Sequence, residues 1–517
     1  MILILDTGCW ILVVGKESSI QHPVSSRQEV FMTAEADSRK FFTEPEKQIP
    51  VFAEVDVVIA GGGAAGFGAA IGAARAGAKT LLIERNSFLG GMATAGLMAN
   101  FHVIGTHLVG AVHELIYRLV DMDGAWLGRV VTYSPELMKQ VALEMLEEAG
   151  VEMLFYTMAS QPIVEDNVVK GLIIENKSGR QAMLSHTLVD CTGDADLAYR
   201  AGAPVTVGRE EDHKTRPMTL LFRMGNVDID RVIEYCRQHR DQFPLSPYSN
   251  VLQKDKKVLR IEGFYEIMSA ARDRGELDKN IHYLRFEGVD SENGTVMVNT
   301  VRVYDLDGSN THELTLGQIE GRKQMMQLVQ VIRKYIPGCE NAFLIDAAVN
   351  MGVRETRRIV GEYVFTDEDA WNKVCFDDTV MYLWRRGGLG KEMHSPDAGE
   401  GLRGPAYYQR IRERLRTYDP DKIPPPPERD FYFPYRSLIP QKLDGMLVAG
   451  RSMSVSHLGD TWTRGIMIVM ACGQAAGAAG ALAARHNVGV RQVDIAELQK
   501  EIADQGVDLG RKNPNKS

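Results

Sequence analysis

Six residues, Gly61-Gly62-Gly63-Ala64-Ala65-Gly66, constrain the fold of this chain more than any other feature. They satisfy the pattern G-x-G-x-x-G directly after the β-branched run Val55–Ala60. The alanine-rich stretch Ala64–Ala76 that follows predicts a helix, and Lys79–Glu84 predicts a second strand. The order strand, glycine turn, helix, strand predicts a βαβ unit of the Rossmann type.

The glycines and the acid of this unit are each suited to one part of a dinucleotide. Gly61 permits a tight turn, Gly63 lets the main chain approach a diphosphate, and Gly66 lets helix and strand touch. The helix start offers N–H groups to phosphate. Glu84 follows Gly61 by about 20 residues, where a carboxylate accepts hydrogen bonds from ribose hydroxyls. The residues predicted to contact the dinucleotide here are Gly61, Gly63, Ala64, Ala65, Gly66, Glu84 and Arg85.

Three further segments favour FAD over NAD as that dinucleotide. Leu89–Thr94 places two glycines where the chain must fold back past the diphosphate, and Thr192–Asp194 follows a predicted strand. Met446–Arg451 is a second strand-and-glycine element near the C-terminus, as a long cofactor held from both chain ends requires. The additional residues predicted to bind FAD are Gly91, Met92, Ala93, Thr94, Thr192, Gly193, Asp194, Gly450, Arg451, Gly465 and Ile466.

Between about residues 50 and 490 the chain resembles a known family. The motifs that carry the resemblance are Glu84 with Leu89–Thr94, Val189–Asp194, Gly352–Arg358, and Ala449–Arg451 with Gly473–Gly477. They are similar to those of FAD-dependent oxidoreductases related to fumarate reductase flavoproteins and to the glutathione-reductase-like fold. The resemblance implies non-covalent or occasionally covalent FAD. His102, His107 and His113 lie where relatives sometimes attach FAD, but none has the S-H-T context of fumarate reductases.

These patterns predict an α/β protein whose Rossmann-type FAD-binding domain is built from both chain ends, with an inserted α+β substrate domain. The predicted parts are an extension over residues 1–50, FAD-binding segments over 51–202 and 431–490, the substrate domain over 203–430, and a C-terminal helix and tail over 491–517. Within the insert, Met325, Leu328, Val329, Ile332 and Ile336 recur at helical spacing and predict a core face. Pro424–Pro427 predicts a stiff polyproline connection.

Charge and composition narrow the class of partner. The net charge of −9 argues against nucleic acid and anionic membranes, so a small-molecule substrate is favoured. The cysteines are scattered without a redox pair, as in a cytoplasmic protein. Residues Gly465–Ala484 are uncharged and long enough for a membrane span, but their glycine and alanine content predicts a buried cofactor helix instead. No metal site is predicted.

Four residues are candidates for the chemistry. Arg464, just before the uncharged helix, could support a reduced flavin, although a surface charge is the simpler alternative. His457 is the first candidate for acid or base, although it could equally be structural. Tyr435 and Arg436 lie in an aromatic segment that could wall a pocket and anchor a substrate, although aromatic residues are more often core.

A second basic motif favours a structural interpretation. Arg354, Arg357 and Arg358 stand at i, i+3 and i+4, which predicts a salt-bridged helix face. The expected function is an oxidoreductase that passes a hydride or electron pair between a small organic substrate and FAD, with an electron acceptor or donor that the sequence does not name. The alternatives are a lyase or isomerase that keeps FAD for structure or transient redox, and a flavin-fold binding protein.

Overall fold

The computed structural model describes residues 42–101, 109–127, 131–243, 259–386, 396–397 and 428–510. Residues 49–517 form one compact unit that holds every element given below. Residues 1–41 of the predicted extension, His102, His107, Pro424–Pro427 and the tail from residue 511 lie outside the described residues.

The strands in the described residues are β1 Val51–Ala60, β2 Thr80–Ile83, β3 Asn100–Phe101, β4 Ala125–Trp126, β5 Val131–Tyr133, β6 Glu152–Leu154, β7 Met158–Glu165, β8 Val168–Asn176, β9 Gly179–Asp190, β10 Val205–Val207, β11 Phe222–Gly225, β12 Arg260–Gly263, β13 Leu284–Asp290, β14 Thr295–Val298, β15 Phe343–Ala347, β16 Arg357–Ile359, β17 Thr379–Arg386, β18 Glu428–Pro434 and β19 Met446–Val448. The α-helices are α1 Ala64–Arg75, α2 Gly110–Asp121, α3 Pro135–Glu148, α4 Asp196–Arg200, α5 Ile229–Gln238, α6 Tyr265–Asp273, α7 Thr311–Tyr335, α8 Asp367–Trp371, α9 His457–Thr463, α10 Ile466–His486 and α11 Ile495–Asp504.

The largest sheet has β1 near its centre, in the order β6-β2-β1-β9-β8-β7. Strands β6, β2, β1 and β9 run parallel, which confirms the predicted βαβ unit. An antiparallel meander extends this sheet, because β8 pairs with the first half of β9 and β7 pairs with β8. Strand β19, from the C-terminal part of the chain, pairs in parallel with the last residues of β9.

Both faces of this parallel sheet are buried, which explains the unbroken apolar run Val57–Ala60 at the end of β1. Val57 and Ile59 point into a core shared with α1 and α10. Val58 and Ala60 point into a second core on the opposite face. Successive side chains of a strand alternate between faces, so two covered faces require every residue to be apolar.

Helices α1 and α10 pack so closely that only glycine fits between them. A Cβ atom on Gly68 would lie 2.0 Å from the carbonyl oxygen of Met470. A Cβ atom on Gly477 would lie 1.8 Å from the carbonyl oxygen of Ala69. Helix α10 is long and apolar enough to cross a membrane, but 89% of its most apolar window is buried inside the protein. Among the described residues, it is therefore placed as the core helix that the sequence predicts.

A second, antiparallel sheet has the order β12-β13-β14-β11-β15. It shares a separate hydrophobic core with α7. The apolar face predicted for this helix is confirmed, because Met325, Leu328, Val329, Ile332 and Ile336 are all buried. The sheet and α7 lie within the range predicted as the substrate domain.

The helix predicted from the spacing of Arg354, Arg357 and Arg358 is wrong. The chain is extended here, and residues 357–359 form β16, which pairs with β10. The three arginines consequently diverge. Arg357 binds Asp196, Arg358 is buried against Glu355, and Arg354 lies on the wall of the cavity described below.

Candidate functional site

The glycine loop between β1 and α1 is shaped by close main-chain contacts. Gly61 has a φ of +107°, and a Cβ atom there would lie 2.5 Å from the carbonyl oxygen of Cys191. A Cβ atom on Gly66 would lie 1.7 Å from the carbonyl oxygen of Gly61. Gly63 differs, because its Cβ atom would meet nothing closer than Cα of Gly91, at 3.9 Å. The close contacts of Gly61 and Gly66 thus determine the conformation of the loop, whereas there is open space beside Gly63.

That open space lies over the start of α1. Gly63 is the N-cap residue of the helix, and as a glycine it has no side chain with which to cap the N–H groups. Gly63, Ala64 and Ala65 all line a cavity of about 1070 Å³. Uncapped N–H groups at a helix N-terminus attract phosphate oxygens, since the helix dipole adds partial positive charge there.

Glu84, at the end of β2, is held in one orientation beside this loop. Its Oε2 accepts a hydrogen bond of 2.7 Å from the amide of Gly62. Its Oε1 accepts two, each of 2.8 Å, from the main-chain and side-chain nitrogens of Asn86. The carboxylate is buried but lies on the cavity wall.

The double glycine after Glu84 folds back over the glycine loop, as predicted. The amide of Gly90 donates a hydrogen bond of 2.8 Å to the carbonyl of Gly62. Gly90 and Gly91 have φ angles of +103° and +53°. The hydroxyl of Thr94 closes the turn by donating to the carbonyl of Leu89 at 2.5 Å.

The turn after β9 is organised by a buried acid. Asp190 accepts hydrogen bonds from Thr192 and from the amides of Leu197 and Ala198. Burial raises the pKa of Asp190, and these hydrogen bonds oppose the rise. The turn residue Asp194 binds Arg451, which comes from the loop after β19. The two segments predicted from distant parts of the sequence therefore meet.

One cavity collects most of the predicted cofactor residues. Those that line it are Gly61, Gly63, Ala64, Ala65, Glu84, Arg85, Gly91, Met92, Thr192, Gly193, Asp194, Gly450, Arg451, Gly465 and Ile466, together with Arg464. Three predicted residues, Gly66, Ala93 and Thr94, do not line the cavity. Gly66 is buried in the first turn of α1, and Ala93 and Thr94 are buried in the segment after β2.

The structure does not bring His457 to the cavity. Its side chain is 3% exposed, and Nδ1 lies 2.7 Å from Oε1 of Glu355. Burial raises the pKa of Glu355, but the hydrogen bond with His457 and the charges of Arg216 and Arg358 outweigh it, so the net pKa is lowered. Arg216 also binds Asp460 at 2.7 Å. His457 thus belongs to a buried ionic cluster at the start of α9.

Tyr435 and Arg436 also lie away from the cavity. Tyr435 is fully buried and donates a hydrogen bond of 2.8 Å to the carbonyl of Val490. Burial raises its pKa. Arg436 is half exposed and binds Asp378, with Nε 2.9 Å from Oδ2. His113, for its part, is exposed on α2 beside Tyr117.

Another part of the cavity wall is polar, and no sequence motif predicted it. It includes Asn100, Arg260, Glu262, Arg285, Asn299 and Arg354, from β3, β12, β13 and the segments after β14 and β15. Arg285, between Glu262 and Glu287 in space, is 2% exposed. Charged residues inside predicted strands are the one sequence signal for such a wall, because a buried charge in a strand needs a partner.

The parallel sheet, the glycine loop on an uncapped helix and the positioned acid define a Rossmann-like dinucleotide-binding protein. The sequence model of the family described as FAD dependent oxidoreductase matches residues 56–502, which is most of the chain. The chain belongs to this family. It is an FAD-dependent enzyme, and FAD is its cofactor.

Individual relatives are more distant. A thiamine thiazole synthase of Aeropyrum pernix is 33% identical over 121 residues, which cover 23% of this chain and 43% of the relative. That of Saccharolobus islandicus is 29% identical over 172 residues, covering 31% and 63%. The chain thus spans about half the length of these curated relatives.

The solved structures that match are more distant in sequence still. A geranylgeranyl bacteriochlorophyll reductase-like protein from Thermoplasma acidophilum has a TM-score of 0.41 at 13% identity, covering 88% of this chain and 84% of the other. The flavin-dependent brominase Bmp2, as a triple mutant, has a TM-score of 0.41 at 14% identity, covering 87% and 84%.

Proposed function

We propose that this enzyme transfers a hydride or electron pair between a small organic substrate and FAD bound in the cavity. The FAD-binding domain is proposed to be assembled from both chain ends and to relate to fumarate reductase flavoproteins. The observation that carries the proposal is the cavity itself. One of its walls is the glycine loop with Glu84, and another includes polar side chains from the second sheet.

The residues at the first wall fit the adenosine diphosphate half of FAD. The open space at Gly63 is the approach that a diphosphate requires, and the uncapped start of α1 supplies its hydrogen-bond donors. Glu84 is oriented to accept hydrogen bonds from ribose hydroxyls. Asp194 and Arg451, which bind each other, are proposed to position the middle of the cofactor.

The start of α10 is the proposed site for the flavin. Gly465 is the N-cap residue of a helix of 21 residues, without a side-chain cap. Arg464 adds a positive charge on the cavity wall, with Nε 3.7 Å from Oδ2 of Asp460. FAD supplies the transfer of the electron pair, and positive charge at this position would stabilise the reduced flavin.

The remaining predicted residues enter the proposal in indirect roles. His457 is proposed to position Arg216, because the carbonyl of His457 and the hydroxyl of Thr461 both accept hydrogen bonds from that guanidinium. Thr461 lines the cavity, so the cluster reaches the site through it. Tyr435 and Arg436 are proposed to hold the returning chain in place.

The proposed partners are a small-molecule substrate and an electron acceptor or donor. The proposed location is the cytoplasm, and no nucleic-acid partner is proposed.

Anaerobic reduction tests this function. The FAD-loaded protein is mixed without oxygen with a panel of small alcohols, hydroxy acids and amines, and the absorbance band of oxidised flavin is followed. An oxidoreductase bleaches this band with its substrate, and air restores it. Turnover of a substrate without bleaching, and with no other change in the flavin spectrum, would instead show a lyase or isomerase. Glu152→Gln, an exposed change on β6, is measured in parallel and should bleach with the same substrate as the wild-type protein.

A further inference from the structure

Arg354 projects from the polar wall, and no carboxylate of the described residues pairs with it. It follows Gly352, which exchanges hydrogen bonds of 2.7 and 3.1 Å with Thr219 and so fixes this segment on the second sheet. The guanidinium donates one hydrogen bond, to the carbonyl of Pro217. Within the described residues it forms no ion pair with an acidic side chain, and it lines the cavity.

A second arginine beside it has the same character. Arg302 is 5% exposed and binds the carbonyl of Val301, the hydroxyl of Thr219 and the hydroxyl of Tyr283. Across the described part of the chain it has no carboxylate within ion-pair distance. Burial first, and then the charges of Arg302 and Arg464, lower the pKa of Arg354. Arg354 therefore lies near two further positive charges, of which Arg464 also lines the cavity.

Apart from Arg302, the arginines that are buried within the described residues are paired with carboxylates. Arg216 binds Glu355 and Asp460, and Arg285 binds Glu287. Burying a charge is costly unless it is paired, so a protein that keeps such a group places a counter-charge beside it. The counter-charge of Arg354 is absent from the described residues, and the guanidinium faces the cavity in which a substrate would bind.

The same wall also lacks hydrogen-bond donors for two buried amides. The side-chain oxygens of Asn100 and Asn299 are buried without a hydrogen-bond partner in the described part of the structure. Both residues line the cavity. Buried acceptors of this kind usually receive a hydrogen bond from a ligand or from water. A hydroxyl or amine on the substrate is a suitable donor.

We propose that the substrate carries a carboxylate or phosphate group, that Arg354 binds this group, and that Asn100 and Asn299 accept hydrogen bonds from a neighbouring hydroxyl or amine. The inference rests on the proposed function and names its substrate class, a small polar organic anion. An arginine fork binds either oxyanion with two parallel hydrogen bonds.

Ligand binding without turnover tests the inference. The thermal midpoint and FAD fluorescence of the FAD-loaded protein are measured with inorganic phosphate, glycolate or neutral ethylene glycol, at constant ionic strength. We expect phosphate or glycolate, but not ethylene glycol, to raise the midpoint. Stabilisation by glycolate alone identifies a carboxylate substrate, and stabilisation by phosphate alone identifies a phosphorylated one.

Arg354→Met should weaken anion binding at least about tenfold, since a hydrogen bond to a charged group contributes about 1.5–3 kcal/mol. Arg354→Lys should restore part of it.

The matched control is Arg333→Met, which removes an exposed arginine of α7 that does not line the cavity and should leave anion binding unchanged. Three results would overturn the inference. The first is that neither anion stabilises the wild-type protein, and the second is that Arg354→Met binds anions as the wild-type protein does. The third is that Arg354→Met loses FAD while anions stabilise only the FAD-free protein. The last result would assign the arginine to the cofactor. Because no step of this test requires flavin reduction, failure to bleach flavin would refute the proposed function separately.

Discussion

The amide of Gly62 donates a hydrogen bond of 2.7 Å to Oε2 of Glu84 and so ties the glycine loop to the end of β2. Asn86 donates to the other carboxylate oxygen from both of its nitrogens. Donors on both sides require acceptors on both sides, and only a carboxylate supplies them. The acid that the sequence marks as a ribose ligand is therefore already oriented by the protein.

Glu84→Gln should weaken FAD binding about tenfold or more. The amide places an N–H donor against either Gly62 or Asn86, and the loss of a hydrogen bond to a charged group costs about 1.5–3 kcal/mol. Quenching of FAD fluorescence on titration measures the dissociation constant. Glu152→Gln, an exposed change on the neighbouring strand β6, should bind as wild type does. Unchanged affinity in Glu84→Gln would remove the acid from the cofactor site.

Alanine substitutions at two glycines of this motif should affect different properties, stability in one variant and FAD binding in the other. Gly66→Ala places a Cβ atom 1.7 Å from the carbonyl oxygen of Gly61, so the helix must separate from the strand and the thermal midpoint of the FAD-free protein should fall by several degrees. Gly63→Ala meets nothing closer than 3.9 Å and should leave that midpoint unchanged while weakening FAD binding. Equal loss of stability in both variants would show that Gly63 shapes the loop rather than the ligand space.

The first half of the site could be predicted because its geometry is local. Gly61, Gly63 and Glu84 belong to one βαβ unit, in which turn, helix start and strand end are fixed by a few consecutive residues. The buried helix α10 was also predictable, since its glycines and alanines make it only weakly hydrophobic and suit close packing on α1.

The polar wall could not be predicted, because it depends on contacts between distant segments. Arg354 reads as a helix-face charge by its spacing from Arg357 and Arg358, yet pairing with β10 holds this stretch extended. His457 follows the predicted loop at Gly450 closely in sequence, but the direction of its side chain is set by Glu355, about 100 residues earlier. Sequence proximity to a cofactor loop therefore did not identify which side chains face the cavity.

His282 should make the stability of the protein depend on pH. Burial, and then the charge of Arg272, lower its pKa from 6.5 to about 4. Since the unfolded chain binds the proton more tightly, stability is full above pH 6.5 and is lost as the pH falls towards 4. Denaturant unfolding should therefore give a free energy lower by about 1–2 kcal/mol at about pH 5 than at about pH 7.5. His282→Gln should reduce this difference, and His312→Gln, an exposed change on α7, should not. An undiminished difference in His282→Gln would assign it to other groups.

His457→Gln distinguishes a positioning role from acid–base catalysis. Because Nδ1 lies 2.7 Å from a carboxylate oxygen of Glu355 in a buried cluster, loss of the imidazole removes one charge-assisted hydrogen bond. Arg216 and Arg358 remain to neutralise Glu355, so we expect a stability loss of about 1–3 kcal/mol. The rate of flavin reduction by substrate, measured by anaerobic stopped flow, should fall less than about tenfold, whereas removal of an acid or base costs about 100-fold to 10,000-fold. The pH profile of this rate should keep its shape. A fall of that larger size with an unchanged thermal midpoint would show that His457 exchanges a proton with the substrate, and α9 would then have to move to expose it.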